Sequence, residues 1–582
     1  MLFPEFFNRL LPTLTVAQWS QGVAGDDEPI ENSVKQIAII GAGAAGSSTA
    51  YALHKYAQEE GLTINVTLFE KTDRIGGRTL TVNVYDNPIE PVELGASIFV
   101  KVNNILWQAT QDFNLSVIEP GTDEAGLLGI WDGDKFVYQQ DSESWEWWSL
   151  AKLFWQYGTA PYYTNKLVQQ TVASFLKLYE APYFPFRSLT TRVFELGLVK
   201  ITGVTGLQFL AENKLDGPFA HEIVQTGTRV NYASNLAYIH GMGAMVSMAA
   251  EGSMAIAGGN WQIFSNMVKS SNAHVYLKTS VTSIGLKPSK QPNAPKPKYI
   301  LKTADAGSDP ATSEAYPTAF DDVVIATPYQ FSNISHGNGV MQRPIDTIPY
   351  ATLHVTLFAS PFRFSTEFFN LKPGSETPTS VLTTLGQGEE PQPGSAGAGK
   401  AGFYSATLVK KATNPKTTQT EYIYKIFSPN ELTPEFLSSL LGVKVPETFT
   451  RSTEAEDEKE YDVVDPISWY YPTVFHPYPQ ELPRVTFQDP VLGPGLYYTS
   501  GIESFISTME TSALMGKNVA RLIVDDYLAA KPAEEQPEKA VGEDQEQKAV
   551  GEDQVQKAVD EDQVQKAMGE DQVQKAIGTD EL

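Results

Sequence analysis

Three glycines and a glutamate near the start of the chain have the spacing of a nucleotide-binding motif. The stretch QIAIIGAGAAGSSTAYALHKY, residues 36–56, carries Gly41, Gly43 and Gly46 in a G-x-G-x-x-G pattern. In that pattern the first glycine permits a tight turn, the second lets a diphosphate approach the backbone, and the third lets a helix pack closely on a strand. Glu70 ends the next strand-like segment, where a carboxylate can accept hydrogen bonds from a ribose. These residues predict dinucleotide binding, with an ordinary strand–turn–helix as the alternative.

A strand, a helix and a second strand must follow one another to bring these residues to one ligand. KQIAII (35–40) predicts a short buried parallel strand, and the segment after the glycines places Ala50, Leu53 and Ala57 on one helical face. The N-terminus of that helix would supply N–H donors and positive partial charge to phosphates. TINVTLFEK (63–71) alternates like a second strand and contains Glu70 at its end. The order predicts a βαβ unit and an α/β fold.

Length and composition narrow the functional classes. The 582 residues are too many for one ordinary core and predict two or more domains. A formal net charge of −26 argues against nucleic-acid binding, which needs basic patches. The chain has no cysteine, which excludes disulfides, thiolate nucleophiles and cysteine-based metal sites. No uninterrupted apolar run is long enough to predict a transmembrane helix. The seven histidines are scattered without metal-ligand spacing, so no metal site is expected.

Two later segments distinguish a flavin from a nicotinamide dinucleotide. KTDRIGGRT (71–79) carries a second glycine pair, and VELGASIF (92–99) carries a Gly-Ala-Ser segment after a strand-like stretch. This pairing resembles the glutathione-reductase-type FAD fold of the amine-oxidase group of flavoproteins. The resemblance implies FAD as the cofactor. It also implies an α/β architecture, in which an FAD-binding Rossmann-like domain carries an inserted mixed α+β substrate domain.

The same resemblance assigns cofactor contacts along the chain. AHVYLKTSVTSIGL (273–286) resembles the strand whose backbone meets the adenine, and FDDVVIATP (320–328) resembles the strand that closes the dinucleotide domain. Residues 495–527 resemble the closing strand, a glycine turn and a final helix whose N-terminus points at the flavin. The implied cofactor-binding residues are Gly41, Gly43, Ala44, Ala45, Gly46, Glu70, Lys71, Gly76, Gly77, Arg78, Gly95, Ala96, Ser97, Val281, Gly501 and Glu510.

A narrower resemblance covers roughly residues 35–525. EIVQTGTRVNYASN (222–235), residues 241–268 and GIESFISTMETSA (501–513) resemble segments of the prenylcysteine oxidase (prenylcysteine lyase) family. YATLHVTLF (350–358) fits a strand of that family's substrate domain. The resemblance implies an FAD-dependent oxidase that cleaves farnesyl- or geranylgeranyl-cysteine with O2 to cysteine, a prenyl aldehyde and hydrogen peroxide. The alternatives are a related flavin oxidase for another prenylated or terpenoid metabolite, and a flavin fold kept as a binding protein.

The implied reaction makes modest demands on side chains. The carbon next to sulfur carries an allylic, sulfur-stabilised C–H bond, so hydride loss from it needs no strong base. Water that then attacks this carbon could use a weak base. His240, His354 and Glu503 are the candidates because they lie in or beside the family-like segments, and a structural role is the alternative for each.

The lipophilic substrate implied by the resemblance needs apolar walls. Five of the nine tryptophans fall between Trp131 and Trp155, and more aromatic residues follow as far as Phe186. This run predicts either the lining of a tunnel or ordinary core and surface packing. SWEWWSL (144–150) on a helix could also contact a membrane, where such a substrate would partition. The expected partners are therefore a small lipophilic substrate and O2, with peripheral membrane contact and no nucleic acid.

The domains are predicted to interleave. Residues 34–105, 250–330 and 490–528 should form the FAD domain, and residues 106–249 and 331–489 the substrate domain. Residues 1–33 are an N-terminal extension that could hold a degenerate signal segment. Residues 529–582 repeat an acidic nine-residue unit, predict disorder, and end in TDEL, which resembles the KDEL/HDEL retrieval signal. With the family's usual compartments, this favours the vacuole, lysosome or secretory pathway, with the cytoplasm as the alternative.

Overall fold

The structure is a computed structural model that describes residues 34–120, 126–141, 146–250, 252–288, 297–447 and 465–530. The predicted N-terminal extension and the nine-residue repeats lie outside the described residues. No helix in the described ranges is both long enough and apolar enough to cross a membrane.

The described strands, in chain order, are β1 (Lys35–Ile40), β2 (Ile64–Phe69), β3 (Thr81–Asn83), β4 (Pro91–Glu93), β5 (Val117–Ile118), β6 (Leu127–Trp131), β7 (Phe136–Asp141), β8 (Ala255–Ile256), β9 (His274–Tyr276), β10 (Thr279–Leu286), β11 (Tyr299–Asp305), β12 (Glu314–Ala315), β13 (Asp322–Ile325), β14 (Ser335–His336), β15 (Leu353–Ser360), β16 (Ser380–Thr383), β17 (Ser405–Thr413), β18 (Thr420–Ser428), β19 (Trp469–Phe475), β20 (Val491–Gly493) and β21 (Leu496–Tyr498).

The described α-helices are α1 (Ala44–Glu59), α2 (Asn104–Asp112), α3 (Glu146–Tyr157), α4 (Ala160–Leu176), α5 (Leu189–Glu195), α6 (Val199–Thr202), α7 (Gly206–Glu212), α8 (Gln225–Tyr232), α9 (Gly241–Ser247), α10 (Trp261–Lys269), α11 (Pro434–Leu441) and α12 (Met509–Ala530).

A six-stranded sheet carries the nucleotide-binding edge. Its strand order is β20-β21-β13-β1-β2-β9, and all neighbours are parallel except β20 and β21. Ile37 and Ile39 of β1 are fully buried, as expected for a central parallel strand covered on both faces. Because the carboxyl ends of parallel strands share one edge, the loops after β1, β2 and β13 meet there.

The first helix packs between this sheet and the last described helix. Ala50 and Leu53 of α1 are fully buried in the same apolar cluster as β1 and α12. A Cβ on Gly516 of α12 would lie 2.2 Å from the Ala45 carbonyl oxygen of α1, so only glycine permits this helix approach. The predicted βαβ unit is confirmed, with strands at Lys35–Ile40 and Ile64–Phe69.

A seven-stranded mixed sheet forms the second layer. Its order is β19-β15-β18-β17-β16-β6-β7, antiparallel throughout except for the β16–β6 pair. An aromatic and leucine-rich cluster that includes Trp131, Phe358 and Tyr424 covers one face. Leu353 and Val355 lie on the opposite face, since successive side chains of a strand alternate. That opposite face is turned toward the dinucleotide sheet.

The strands of the two large sheets come from separate stretches of the chain. Strands of the six-stranded sheet come from residues 35–69, 274–276, 322–325 and 491–498, and those of the seven-stranded sheet from 127–141 and 353–475. Two borders differ. β5 pairs with β8, and β14 pairs with β10, so residues 117–118 and 335–336 join sheets of the predicted FAD domain.

Two segments that were each predicted to form one particular strand are arranged differently in the structure. Residues 273–286 form two strands, β9 in the six-stranded sheet and β10 in a separate four-stranded sheet, with the left-handed Lys278 in the turn between them. The strand within 320–328, β13, is interior, because β21 adds beyond it.

Candidate active site

One large cavity lies between the two sheets. It has a volume of about 1550 Å³ and runs from the loop after β1 to the face of the seven-stranded sheet that carries Leu353, Val355 and Phe427. A pocket for one small molecule is usually smaller, on the order of 300–1,000 Å³. The cavity can therefore hold a dinucleotide at one end and a lipid chain at the other.

The first glycine turn has the geometry that its spacing predicts. Gly41 has a φ of +106°, and its N–H donates to the Phe69 carbonyl at 2.8 Å. A Cβ on Gly46 would lie 1.9 Å from the Gly41 carbonyl oxygen, so helix and turn touch directly. A Cβ on Gly43 would meet only the Gly77 Cα, at 3.8 Å. The backbone at Gly43 is thus open toward the cavity, which Ala44 and Ala45 also line.

Glu70 lies beside this turn at the end of β2. Its Oε2 accepts the Ala42 N–H, and its Oε1 accepts both the N–H and the hydroxyl of Thr72, all at 2.8 Å. A carboxylate has about four acceptor positions, so one remains for a hydroxyl in the cavity. Lys71 also lines the cavity here. The position and remaining acceptor capacity of Glu70 suit a ribose.

The second glycine turn packs against the first. Gly76 and Gly77 have φ values of +123° and +59°, and the Gly76 N–H donates to the Ala42 carbonyl at 2.9 Å. Arg74 donates through Nη2 to the Gly77 carbonyl at 2.8 Å. The Nη1 of Arg74 is buried and has no hydrogen-bond partner among the described residues. A buried arginine N–H without an acceptor, beside two glycine turns, is well placed to donate a hydrogen bond to a phosphate oxygen.

Arg78 and Glu503 form a bidentate ion pair in the cavity wall. Arg78 Nη1 and Nη2 donate to the two Glu503 oxygens at 2.8 and 2.7 Å, and the Tyr350 hydroxyl donates to Oε2 at 3.1 Å. Burial acts to lower the pKa of Arg78, but Glu503 outweighs burial and raises it, so the guanidinium stays charged. Glu503 was a candidate base, but its oxygens are held by Arg78 and Tyr350. The geometry makes it an anchor for Arg78.

The Gly-Ala-Ser segment contacts a buried lysine in the cavity wall. A Cβ on Gly95 would lie 1.8 Å from the Arg78 carbonyl oxygen, which explains glycine at this position. The ammonium of Lys425, on β18, donates to the Ser97 hydroxyl at 2.9 Å and to the Glu93 carbonyl at 2.8 Å. Ala96 and Ser97 both line the cavity, as the resemblance implies. Lys425 was not among the predicted site residues.

The N-terminal end of α12 reaches the cavity, and of the two residues predicted there Glu510 lines the cavity and Gly501 does not. Glu510 lines the cavity, but its carboxylate accepts the N–H groups of Ile105 and Leu106 at 2.9 and 3.0 Å and so caps α2. Burial raises the pKa of Glu510 to about 7. Gly501 is not a lining residue of this cavity. It packs on Gln488, where a Cβ would lie 2.6 Å from the carbonyl oxygen.

His240 lies outside the cavity and serves as a helix cap. Its Nδ1 accepts the Gly243 N–H at 2.9 Å, so the proton lies on Nε2, which faces the Ser504 carbonyl at 3.4 Å. The side chain is fully buried, and burial lowers the pKa of His240 to about 4. A neutral imidazole with both nitrogens engaged cannot act as the predicted base.

His354 and Val281 also lie outside the cavity. Leu353 and Val355, the neighbours of His354 on β15, line the cavity, so strand alternation turns His354 to the opposite face of the sheet. Val281 is buried in an apolar cluster with Phe69 and Ile325. The sequence could not foresee either result, because both depend on which sheet face turns inward. Among the described residues, no group of three acidic or histidine side chains could hold a metal ion.

The described aromatic side chains between Trp131 and Phe186 follow the second predicted alternative, core and surface packing, rather than the tunnel lining. Of these side chains, only Phe175 lines the cavity. Trp131 is buried in the seven-stranded sheet's core, whereas Trp155 is exposed. The walls of its apolar end come mainly from residues scattered through the chain, namely Val172, Phe175, Leu176, Val230, Tyr232, Val246, Leu353, Val355, Val409, Phe427, Phe475, Tyr478 and Ile506.

The residues at the dinucleotide end fit FAD on two observations. The space beside the Gly43 backbone is open and would be occupied by the Cβ of any other residue. The buried Nη1 of Arg74 has no acceptor among the described residues. Both are features that a diphosphate would satisfy. The Gly-Ala-Ser segment and the end of α12 then border the part of the cavity where the flavin ring is expected.

Comparisons with known proteins agree with this geometry. A family model described as prenylcysteine lyase matches residues 140–536, which is more than half of the chain. The chain belongs to the prenylcysteine lyase family. A second model, an NAD(P)-binding Rossmann-like domain, matches residues 39–113. Within this prenylcysteine lyase family, farnesylcysteine lyase of Arabidopsis thaliana is 27% identical over 543 residues, which cover 90% of this chain and 93% of that protein. Prenylcysteine oxidase 1 of Bos taurus is 28% identical, with 88% and 91% covered.

A solved structure supports the fold. A triple mutant of putrescine oxidase superposes with a TM-score of 0.50 at 13% identity, covering 84% of this chain and 99% of that one. This likeness concerns the fold alone. Together with the family membership, the Rossmann-like unit makes this prenylcysteine lyase family member a flavin-dependent oxidoreductase, and FAD is its cofactor.

Lys425 is the site residue that the sequence reasoning missed, although a signal for it exists. The strand TEYIYKIFS alternates around one lysine between apolar residues. A charged residue in the middle of a buried strand usually has a role, because burying a charge is costly. Asn231, Tyr232 and Tyr478 were also missed as lining residues, since their positions depend on how α8 and the segment after β19 fold over the cavity.

Proposed function

We propose that this protein cleaves the thioether of a prenylcysteine, farnesyl- or geranylgeranyl-cysteine, with O2 to give cysteine, a prenyl aldehyde and hydrogen peroxide. One observation carries the proposal beyond family membership. A single cavity joins the dinucleotide turns to an apolar sheet face, so one bound molecule can present a lipid chain and a polar head to the same cofactor site.

The chain's own residues provide binding, orientation and exclusion of water. FAD, when bound, supplies the hydride acceptor and passes the electrons to O2. Gly43, Glu70 and Arg74 would hold its diphosphate and ribose, and the Gly-Ala-Ser segment would border its ring. Val355 and Phe427 offer an apolar wall for the prenyl chain. Such positioning of a reactive carbon contributes much of the rate enhancement in sites of this kind.

The water step fits a site without a strong base. Hydride loss from the allylic carbon leaves a sulfur-stabilised cation that water attacks directly, and the resulting hemithioacetal breaks into aldehyde and thiol. The candidate bases are engaged elsewhere: Glu503 with Arg78, and His240 as a helix cap. The Arg78–Glu503 pair instead fixes the position of the guanidinium in the wall through two hydrogen bonds.

The test uses the purified full chain loaded with FAD. Under anaerobic conditions, farnesylcysteine should bleach the oxidised flavin absorption, and readmitted O2 should restore it with release of hydrogen peroxide and farnesal. S-octylcysteine is the matched control, because it has a similar apolar chain but no allylic C–H bond, and it should leave the flavin oxidised.

Two other results would redirect the proposal. Flavin that stays oxidised with farnesyl- and geranylgeranyl-cysteine would exclude prenylcysteine as the substrate. Reduction by another prenylated or terpenoid metabolite would then support the alternative, a related oxidase. Colourless protein that takes up no added FAD would contradict the cofactor assignment itself.

Peripheral contact with a lipid surface is a further part of the proposal. Phe154, Trp155, Tyr162 and Tyr163, here called the aromatic patch, are 64%, 88%, 67% and 52% exposed at the junction of α3 and α4. The side chains of 144–150, where membrane contact was predicted, lie outside the described ones. Exposed aromatic clusters of this size suit lipid headgroup regions, where the substrate would partition.

Co-sedimentation with neutral phosphatidylcholine vesicles tests this contact, since the net charge of −26 opposes anionic lipid. Trp155→Ser should reduce binding. Phe194→Ser, at a residue 74% exposed on α5, is the matched control and should not. Equal binding by both variants would contradict the proposal.

For its location, we propose the lumen of a vacuole, lysosome or secretory compartment. Free prenylcysteine arises only when peptide bonds on both sides of the modified cysteine are hydrolysed, so a degradative compartment is where this substrate forms. Protease protection of the native protein in sealed organelles, lost on detergent addition, would support this location. Digestion without detergent would contradict it.

A further inference from the structure

Lys425 is a buried cation on the apolar wall of the cavity. It lies in the middle of β18, its residue is 8% exposed, and it lines the cavity together with Phe427 two residues along the same strand face. Its ammonium lies 5.0 Å from the centroid of the Phe427 ring. Leu353 and Val355 of the neighbouring strand continue this face.

The hydrogen bonds of Lys425 leave its charge without a formal counterion. The Nζ donates to the Glu93 carbonyl and the Ser97 hydroxyl, both uncharged acceptors, and a lysine ammonium has a third N–H. No described carboxylate forms an ion pair with Lys425. Burial lowers the pKa of Lys425 to about 8, and the nearby Glu93 side chain opposes this shift. The Glu93 carboxyl is itself largely buried, and burial raises its pKa to about 7.

The other described lysines and arginines of the cavity either have acidic partners or lie at the dinucleotide end. Arg78 is paired with Glu503, and Lys410 with Glu90. Arg74 and Lys71 lie at the dinucleotide end. Lys425 therefore stands out as the cation of the sheet face for which no described carboxylate lies within ion-pair distance, although the Glu93 side chain acts on it from farther away. A buried charge without an ion-pair partner is destabilising, so an anionic ligand group placed beside it would be favoured.

We propose that the Lys425 ammonium binds the α-carboxylate of the prenylcysteine, with Ser97 and the Glu93 carbonyl holding the ammonium in place. This inference rests on the proposed function and names the head-group site within it. The carboxylate is four bonds from the allylic carbon that loses hydride. Fixing it beside the Gly-Ala-Ser segment therefore fixes that carbon near the expected flavin ring. The prenyl chain can then extend along Val355 and Phe427.

The assignment predicts selectivity for the free amino acid. A methyl ester keeps the thioether, the allylic carbon and the prenyl chain but removes the negative charge. A prenylated cysteine within a peptide likewise has no α-carboxylate. Lys425 would thus favour prenylcysteine whose carboxyl group is free over the ester and over a prenylated cysteine inside a peptide.

The experiment compares acid and ester on the wild-type holoenzyme and on Lys425→Met. Wild-type protein should bind S-octylcysteine at least roughly tenfold more tightly than its methyl ester in calorimetry, a readout that needs no turnover. The KM for farnesylcysteine should be correspondingly below that of farnesylcysteine methyl ester. Lys425→Met should weaken binding of the acid roughly 30-fold or more while changing binding of the ester less than about threefold.

Two further variants control for charge and folding. Lys411→Met removes an exposed lysine from the adjacent strand, outside the cavity lining, and should leave the acid-to-ester ratio unchanged. Lys425→Arg retains the charge and should recover part of the preference for the acid. Replacing an unpaired buried lysine by methionine is expected to preserve folding, and the flavin spectrum verifies it.

The outcomes separate this inference from the proposed function. Wild-type enzyme that oxidises farnesylcysteine but binds acid and ester equally would overturn the role of Lys425, and this comparison needs no variant. Equal losses for acid and ester in Lys425→Met would also overturn it and would place the lysine at the flavin or O2 step. Wild-type enzyme that oxidises no prenylcysteine would overturn the proposed function and, with it, this inference.

Discussion

Alanine should have different effects at two glycines of the same motif. At Gly46 it should lower the stability of the fold, and at Gly43 it should weaken FAD binding. At Gly46 an added Cβ would lie 1.9 Å from the Gly41 carbonyl oxygen, whereas Cβ atoms in proteins essentially never make contacts under 3.0 Å. The obstacle is the backbone of Gly41, with the Ala326 Cβ 3.2 Å away, so no flexible side chain can rotate out of the way. At Gly43 the nearest atom would be 3.8 Å away, and its backbone angles of −78° and −167° suit any residue.

These distances set the expected magnitudes. Gly46→Ala must separate α1 from the turn by more than 1 Å, and overpacking of this kind costs about 1–3 kcal/mol, offset by up to about 1 kcal/mol of helix propensity. Gly43→Ala should cost at most about 1 kcal/mol, from the weaker N-cap. Its Cβ, however, occupies the space over which a diphosphate would lie. Its FAD affinity should fall at least roughly tenfold, or about 1.4 kcal/mol.

The assay separates stability from cofactor binding. Thermal unfolding of each apoprotein reports the first effect, and titration with FAD followed by flavin fluorescence reports the second. Gly217→Ala, at an exposed position with no neighbour within 4 Å and no left-handed φ, is a control for the backbone cost of alanine. Equal apoprotein stabilities for the two motif variants, or unchanged FAD affinity in Gly43→Ala, would refute the reasoning.

Three further predictions concern two buried charged side chains and one predicted site residue that lies outside the cavity. Arg229 is almost fully buried and donates to oxygens of Thr383, Asn235, Gly397 and Ala398, so Arg229→Met should lower stability by about 3–5 kcal/mol in thermal unfolding. Arg229→Lys should not restore it, because an ammonium has only three donors. Burial raises the pKa of Glu481 well above its usual value, so the folded state holds a proton that the unfolded state releases above about pH 4.5, and stability falls as pH rises. Glu481→Gln should remove that decline, and a melting temperature that falls equally with pH in both proteins would contradict it. His354→Ala should keep kcat/KM within about twofold, because the side chain faces away from the cavity; a loss above tenfold would place His354 in the reaction after all.

The chain's local physics explains why the dinucleotide end could be predicted. Gly41, Gly43, Gly46 and Glu70 lie within one continuous βαβ unit, where the spacing along the chain fixes the spacing in space. The tight turn at Gly41 and the contact at Gly46 are consequences of a strand meeting a helix. The family resemblance extended this reading to FAD, since the second glycine turn follows directly in sequence.

The substrate end could not be predicted in the same way. Whether His354 or Leu353 faces the cavity depends on which face of β15 turns inward, and alternation alone leaves both choices open. His240 and Glu503 fall in family-like segments, yet tertiary contacts use one as a helix cap and the other as the partner of Arg78.

By itself the sequence determined the nucleotide-binding turn and the family, because these depend on motifs that are continuous along the chain. Only the tertiary structure decided that β18 lies opposite the Gly-Ala-Ser segment and so brings Lys425 to Ser97, residues more than three hundred positions apart. The physical reason is that burial of a charge and the choice of its partners are properties of packed sheets, which no local pattern contains.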